Sequence, residues 1–140
     1  MKNLFLFMAI TLVGLGGCSE KRSQPLAIDN SLTQEEIAAG VLSPEVMWKM
    51  GRVGLASLSP DASRLLYTVT WYNMQENRGV TAIYVRDAAS GEVAQLTDFS
   101  SNNSDPKWNA DGSKIYFLSD LSGSSQIWEM AADGQNPRQL

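Results

Sequence analysis

The chain has 140 residues, a formal net charge of −4, one cysteine and no histidine. The acidic balance, with no basic stripe, argues against nucleic acid as a partner. Without histidine the usual general base of serine and cysteine hydrolases and the commonest metal ligand are both missing, so these residues alone assemble no Ser-His-Asp triad, and no catalytic, cofactor-binding or metal-ligating residue is assigned.

At the amino terminus Lys2 supplies a positive charge, Leu4 to Leu15 is almost wholly apolar, and Leu15-Gly16-Gly17 runs directly into Cys18. This is the order of a secretory signal, and its apolar run is shorter than the roughly 20 residues a helix needs to cross a bilayer. Small residues at Gly16 and Gly17 let the backbone enter a peptidase cleft, and the Cys18 thiol can carry a thioether-linked diacylglycerol. The segment resembles the lipobox of bacterial lipoproteins. That resemblance implies a signal peptide over 1–17, lipidation at Cys18, a membrane contact through that anchor, and a cell-envelope location. Ser19, where an inner-membrane retention signal would carry Asp, favours the outer membrane facing the periplasm. With Cys18 acylated, the mature chain has no thiol for a disulfide and depends on packing.

Residues 18–32 are polar and aperiodic, with Ser23-Gln24-Pro25 among them, and read as a disordered tether. A short helical lead-in over 33–52 follows. Thr33 and Glu36 have capping-box spacing, and Ser43-Pro44-Glu45 orders an N-cap, a first-turn proline and a carboxylate, with Gly51 as the expected stop. Val46 and Met50 share a face that should dock on an apolar surface.

From residue 53 to 140 the pattern is short strands. Val53 to Leu58, Arg64 to Tyr72, Thr81 to Asp87 and Val93 to Thr97 are apolar, aromatic and β-branched, separated by Ser59-Pro60-Asp61-Ala62, a polar loop around Asn73 to Arg78, and Ala88-Ala89-Ser90-Gly91. The series then repeats. Ser59 to Tyr67 aligns with Asn109 to Phe117 at an offset of 50, whereas Ile83-Tyr84 and Gln95-Leu96 align with Ile127-Trp128 and Gln139-Leu140 at an offset of 44. The six-residue difference falls on the loop between the second and third strands. A repeat of this length with four strands per unit predicts an all-β fold: a partial β-propeller of about two four-stranded blades, preceded by the signal segment and short helices. Asp61 and Asp111 accept from turn amides, and Gly112 supplies the positive φ of a tight turn; with Ala62 in that place, the first turn is expected to differ in type. Tyr67, Tyr84, Trp108, Phe117 and Trp128 are expected to fill the space between adjacent blades. Two blades cannot close a ring, so the chain reads as the front part of a longer protein.

Ser59-Pro60-Asp61, Asn109 to Phe117, Ile127-Trp128 and Asp133-Gly134 through Arg138-Gln139-Leu140 resemble the WD-like repeat shared by TolB proteins and the prolyl oligopeptidase family. Leu42 to Glu45, Trp48 to Val53 and the Tyr67 to Arg78 segment resemble the start of bacterial dipeptidyl and acylaminoacyl peptidases of that family. The resemblance implies the substrate-gating propeller of a lipid-anchored serine exopeptidase that takes short peptides, with a G-x-S-x-G nucleophile on an α/β-hydrolase domain absent from these residues. The alternative is a non-catalytic TolB-like propeller binding cell-envelope proteins. Ser90, Ser113 and Ser122 to Ser124 fall in hairpin turns and are not nucleophiles. Glu76 is a candidate amine-binding acid by its exposed position alone. Asn109-Ala110-Asp111-Gly112 fails as a calcium loop, which needs acids where Lys107 and Leu118 stand, and as a sialidase Asp-box, because Gly112 directly follows Asp111. Asp105, Asp120 and Asp133 read as turn residues.

Overall fold

A computed structural model describes residues 25–140; the expected signal segment over 1–17 and the expected lipidation at Cys18 fall outside the described residues. Thr33 caps helix α1 (Gln34–Ala39) reciprocally, the Glu36 N–H donating to Thr33 Oγ1 at 3.2 Å and the Thr33 N–H to Glu36 Oε2 at 2.8 Å. Ser43 Oγ accepts from the Val46 N–H at the head of α2 (Pro44–Lys49). The helix stops before Gly51, since Met50 is already extended with φ −82° and ψ 130°. Gly51 meets a different need. A Cβ there would lie 2.6 Å from Val69 Cγ1 and 2.8 Å from two Trp71 ring carbons. Of the expected docking face only Val46 is buried, while Met50 is 47% exposed.

The strands form two antiparallel sheets, each in chain order. The first holds β1 (Arg52–Leu58), β2 (Arg64–Asn73), β3 (Arg78–Asp87) and β4 (Val93–Gln95); the second holds β5 (Asn103–Trp108), β6 (Lys114–Ser119), β7 (Gln126–Ala131) and β8 (Arg138–Gln139). These are the two expected four-stranded blades. Strand β4 is shorter than expected because Thr97 leaves the ladder and uses its side chain instead: Thr97 Oγ1 accepts from the Ile83 N–H at 2.9 Å, and the Leu96 N–H donates to Ile83 O at 2.8 Å. Each first strand carries a bulge at the same repeat position, between Gly54 and Ala56 and between Ser104 and Lys107. Asp105 therefore sits inside β5 at φ 50°, not in a turn.

Strand alternation decides which residues meet between the blades. Leu66 and Ile83 of the first sheet pack with Ile115, Phe117 and Met130 of the second, all at most 4% exposed, and Trp108 and Trp128 pack against them. Tyr67 and Tyr84 do not join this seam. They pair across β2 and β3 on the opposite face, their rings stacked with centroids 5.8 Å apart, because Tyr67 is one residue out of phase with Leu66.

The two repeat turns are the same. Ser59 Oγ and Asn109 Oδ1 accept from the Arg64 and Lys114 N–H groups, and Asp61 and Asp111 accept from the Ser63 and Ser113 N–H groups. Ala62 has φ 58° and Gly112 has φ 73°, so the alanine adopts the left-handed conformation and the first turn does not differ in type. That conformation costs a non-glycine residue about 1–2 kcal/mol. Ala62→Gly should raise unfolding free energy by about 1 kcal/mol and Gly112→Ala should lower it by at least about 1 kcal/mol, the latter also because its Cβ would lie 3.2 Å from Pro60 Cδ. Denaturant melts check both; changes of the same sign would show the turns to be energetically unlike.

Asp61 is held at about 2, below its ordinary 3.8, by the Ser59 hydroxyl first and then by the Ser63 N–H and hydroxyl. A depressed carboxyl stabilises above its unfolded pKa and loses that contribution as pH falls through the folded one. Thermal stability should therefore drop between about pH 4 and pH 2, and Asp61→Asn should remove part of that slope. Parallel pH profiles for variant and parent would exclude the contribution.

Candidate functional site

The six-residue difference between the blades is not a floppy loop. Strands β2 and β3 have ten residues each, whereas β6 and β7 have six, so the extra chain lengthens a hairpin and carries Trp71, Tyr72 and Asn73 beyond the blade. The lead-in segment lands on that extension. Trp48 meets Tyr72 edge-on at 5.1 Å, and the Arg52 guanidinium lies 4.6 Å and 4.5 Å from the two ring centroids. Asn73 Nδ2 donates to Ala27 O at 2.7 Å, and the Leu26 N–H donates to Phe99 O at 2.9 Å. Leu26 is 3% exposed, so the expected disorder of the tether does not hold for its described part.

Between Ala27 to Asp29, the start of α2 and the end of the long hairpin lies an open cleft of about 550 Å³. Trp48 and Tyr72 give it an aromatic wall, and Asp29, Glu45 and Lys49 give it charge. Its charges are largely engaged. Lys49 Nζ bonds Glu36 at 2.9 Å and Ser31 O at 3.0 Å, Asp29 accepts from the Ser31 N–H, and Glu45 is held below the usual carboxylate range by its own backbone N–H and by the Ser43 hydroxyl. Glu36 is lowered too, by the Thr33 N–H first and then by Lys49. The residues that line the cleft include no serine, threonine, cysteine or histidine.

Glu76 occupies the tip of the long hairpin. Its N–H donates to Asn73 Oδ1 at 2.9 Å, and its side chain, 51% exposed, stands 4.0 Å from Arg78. The cleft wall includes Gln75 but not Glu76. Ser90, Ser113 and Ser122 to Ser124 lie in turns, as expected. Two groupings escaped the sequence reading. Arg64 bridges the blades, donating to Gly112 O at 3.1 Å while lying 4.6 Å over the Trp108 ring. Glu129 is 7% exposed and takes Lys114 at 3.1 Å and Arg138 at 2.6 Å, which hold its carboxyl low, Lys114 most. The cross-strand spacing of Lys114, Glu129 and Arg138 was the available signal for that triad. Among the described residues no group of three or more acids, cysteines or histidines stands close enough to hold a metal.

Two stacked antiparallel blades with a repeat turn in each define part of a β-propeller. The chain belongs to the TolB β-propeller domain family, whose model matches residues 32–140. It is 32% identical over 113 residues to dipeptidyl-peptidase 5 of Porphyromonas endodontalis, covering 80% of this chain and 16% of that protein. To dipeptidyl-peptidase 5 of Porphyromonas gingivalis it is 33% identical over 126 residues, covering 90% and 17%. Among solved structures it is similar to the β-propeller domain of the Trilobed protease from Pyrococcus furiosus, at 17% identity and a TM-score of 0.53 over 65% of this chain and 27% of that one. The chain thus spans about a sixth of the dipeptidyl peptidases it matches.

Proposed function

We propose that these residues are the propeller portion of an exported serine exopeptidase of the dipeptidyl-peptidase type, tethered to the cell envelope through a lipid on Cys18. One observation carries this reading. The blades occupy 52–139, yet similarity to a dipeptidyl peptidase runs over 126 residues, so it extends well into the lead-in and its cleft. In the complete protein, serine attacks the peptide carbonyl on a separate hydrolase domain with histidine as base, and the propeller admits short chains only. The 140 residues contribute the anchor and part of the size filter.

The full-length gene product should release dipeptides from substrates with a free amino terminus, lose that activity to a serine-directed fluorophosphonate, and carry a diacylated Cys18 by mass analysis. The 140-residue chain alone should release none. A coding sequence without G-x-S-x-G and a later histidine would instead favour the second reading, a TolB-like propeller that binds envelope proteins, which the family match supports.

A further inference from the structure

Helix α1 is held in place yet buries nothing. Its capping box closes on Thr33 and Glu36, and Lys49 Nζ of α2 bonds both Glu36 and Ser31 O, but none of its residues is buried, and Ile37 is 55% exposed. Val41 and Leu42, just past its Gly40 cap, are 67% and 58% exposed. Three large aliphatic side chains in one short run are thus fixed in water, with no cover among the described residues. Apolar side chains grouped on a surface in this way mark a contact with something else.

Where the chain enters the blades decides what covers this run. The lead-in meets them at one end: Trp48 packs on Tyr72, Asn73 Nδ2 donates to Ala27 O, and the Leu26 N–H donates to Phe99 O. The repeat turns over 59–63 and 109–113 lie at the other end of β2 and β6, about 30 Å away along the ten residues of β2. Cys18 precedes Pro25 by seven residues, and a stretch of that length reaches at most about 25 Å. A lipid on Cys18 therefore keeps the lead-in end beside the bilayer. So short a tether raises the effective concentration of lipid surface at α1 to about the millimolar range, where a weak affinity suffices. Charge selects the kind of lipid. Asp29, Glu35 and Glu45 are exposed on the lead-in, while Lys49 is taken by Glu36 and the Arg52 guanidinium lies over the Trp48 and Tyr72 rings, so an anionic bilayer is repelled and a zwitterionic one fits. We infer that Ile37, Val41 and Leu42 form a second membrane contact, seated in the interface of a zwitterionic bilayer, which stands the propeller on the membrane by its lead-in end. This inference rests on the lipidation of Cys18 proposed above.

The test is amide hydrogen exchange of the full-length gene product, read by mass spectrometry. The diacylated form in phosphatidylcholine vesicles is compared with a lipid-free form that begins at Ser19. Amides over 37–42 should exchange about tenfold more slowly on the vesicles, as millimolar effective concentration and a sub-millimolar affinity together give, while those over 59–63 and 109–113 keep their solution rates. Val41→Ser combined with Leu42→Ser, both exposed and outside the helix, should return 37–42 to the solution rate in the anchored protein. The mass of the amino terminus separates two failures. A Cys18 without diacylglycerol removes the anchor and this contact with it, whereas a diacylated protein with unchanged exchange over 37–42 overturns the contact alone. Slowing that the double serine variant retains, or that extends equally to the repeat turns, overturns it as well.

Discussion

Gly51→Val should detach the lead-in segment from the first blade and lower stability by about 3 kcal/mol, at the upper end for overpacking a filled site. The neighbours have nowhere to go. Val69 is 7% exposed, and the Trp71 ring is held by its bond to Tyr84, so a Cβ placed 2.6 Å and 2.8 Å from them must push the backbone away. Losing that approach also pulls Trp48 and Arg52 off Tyr72. By contrast Arg52→Ala removes only the cation over the rings, worth about 0.5–1 kcal/mol at a partly exposed place. Denaturant melts give the ranking, and limited proteolysis should show faster cleavage between Leu32 and Met50 in the valine variant. A valine variant with parental midpoint and cleavage pattern would show that the segment does not depend on this contact.

Phe117→Ala should cost roughly 3–5 kcal/mol. Phe117 is 4% exposed at the centre of the seam, beside Leu66, Ile83, Ile115 and Met130, and neighbours contributed by two sheets cannot all relax into the space it leaves. Ile127 is the internal control. One residue before Trp128, it points to the other face and is 55% exposed, so Ile127→Ala should stay within about 0.5 kcal/mol. Similar losses for both would mean that the seam is not where the blades hold together.

The blades were legible because their signals are local. The capping residues Thr33 and Ser43, the turn aspartates Asp61 and Asp111 and the repeated strand pattern each act within a few residues, and the structure keeps them. Ala62 shows where local reading stops: alanine disfavours positive φ, but the Ser59 and Asp61 bonds that repeat around Asn109 and Asp111 impose it anyway. Tyr67 and Tyr84 hold the repeat positions of Phe117 and Trp128, paired across the same two strands of their blade, so they lie on the face of the first blade turned away from the second. The polar run Met74 to Asn77 predicts a longer loop in the first unit, whereas the extra residues lengthen β2 and β3, because the strand residues beside that run look alike in either state. The candidate cleft was not legible at all. It joins Ala27 to Asp29 with Tyr72 to Gln75, a pairing that follows from where the chain enters the first blade rather than from any motif.

Neither strand ladder crosses from one blade to the other; only side chains such as Arg64, Trp108 and Asn103 bridge the seam. Each unit of about fifty residues, a typical propeller repeat length, therefore builds its strand ladders from its own contiguous sequence. A genetic duplication or deletion of one unit would leave every remaining ladder intact and ask only that two faces of side chains be refitted. Blade number is then the readily evolvable quantity in this architecture. Of the two described units, the first, with its lengthened hairpin and the lead-in segment moulded to it, is the one that such shuffling cannot move without unseating something else.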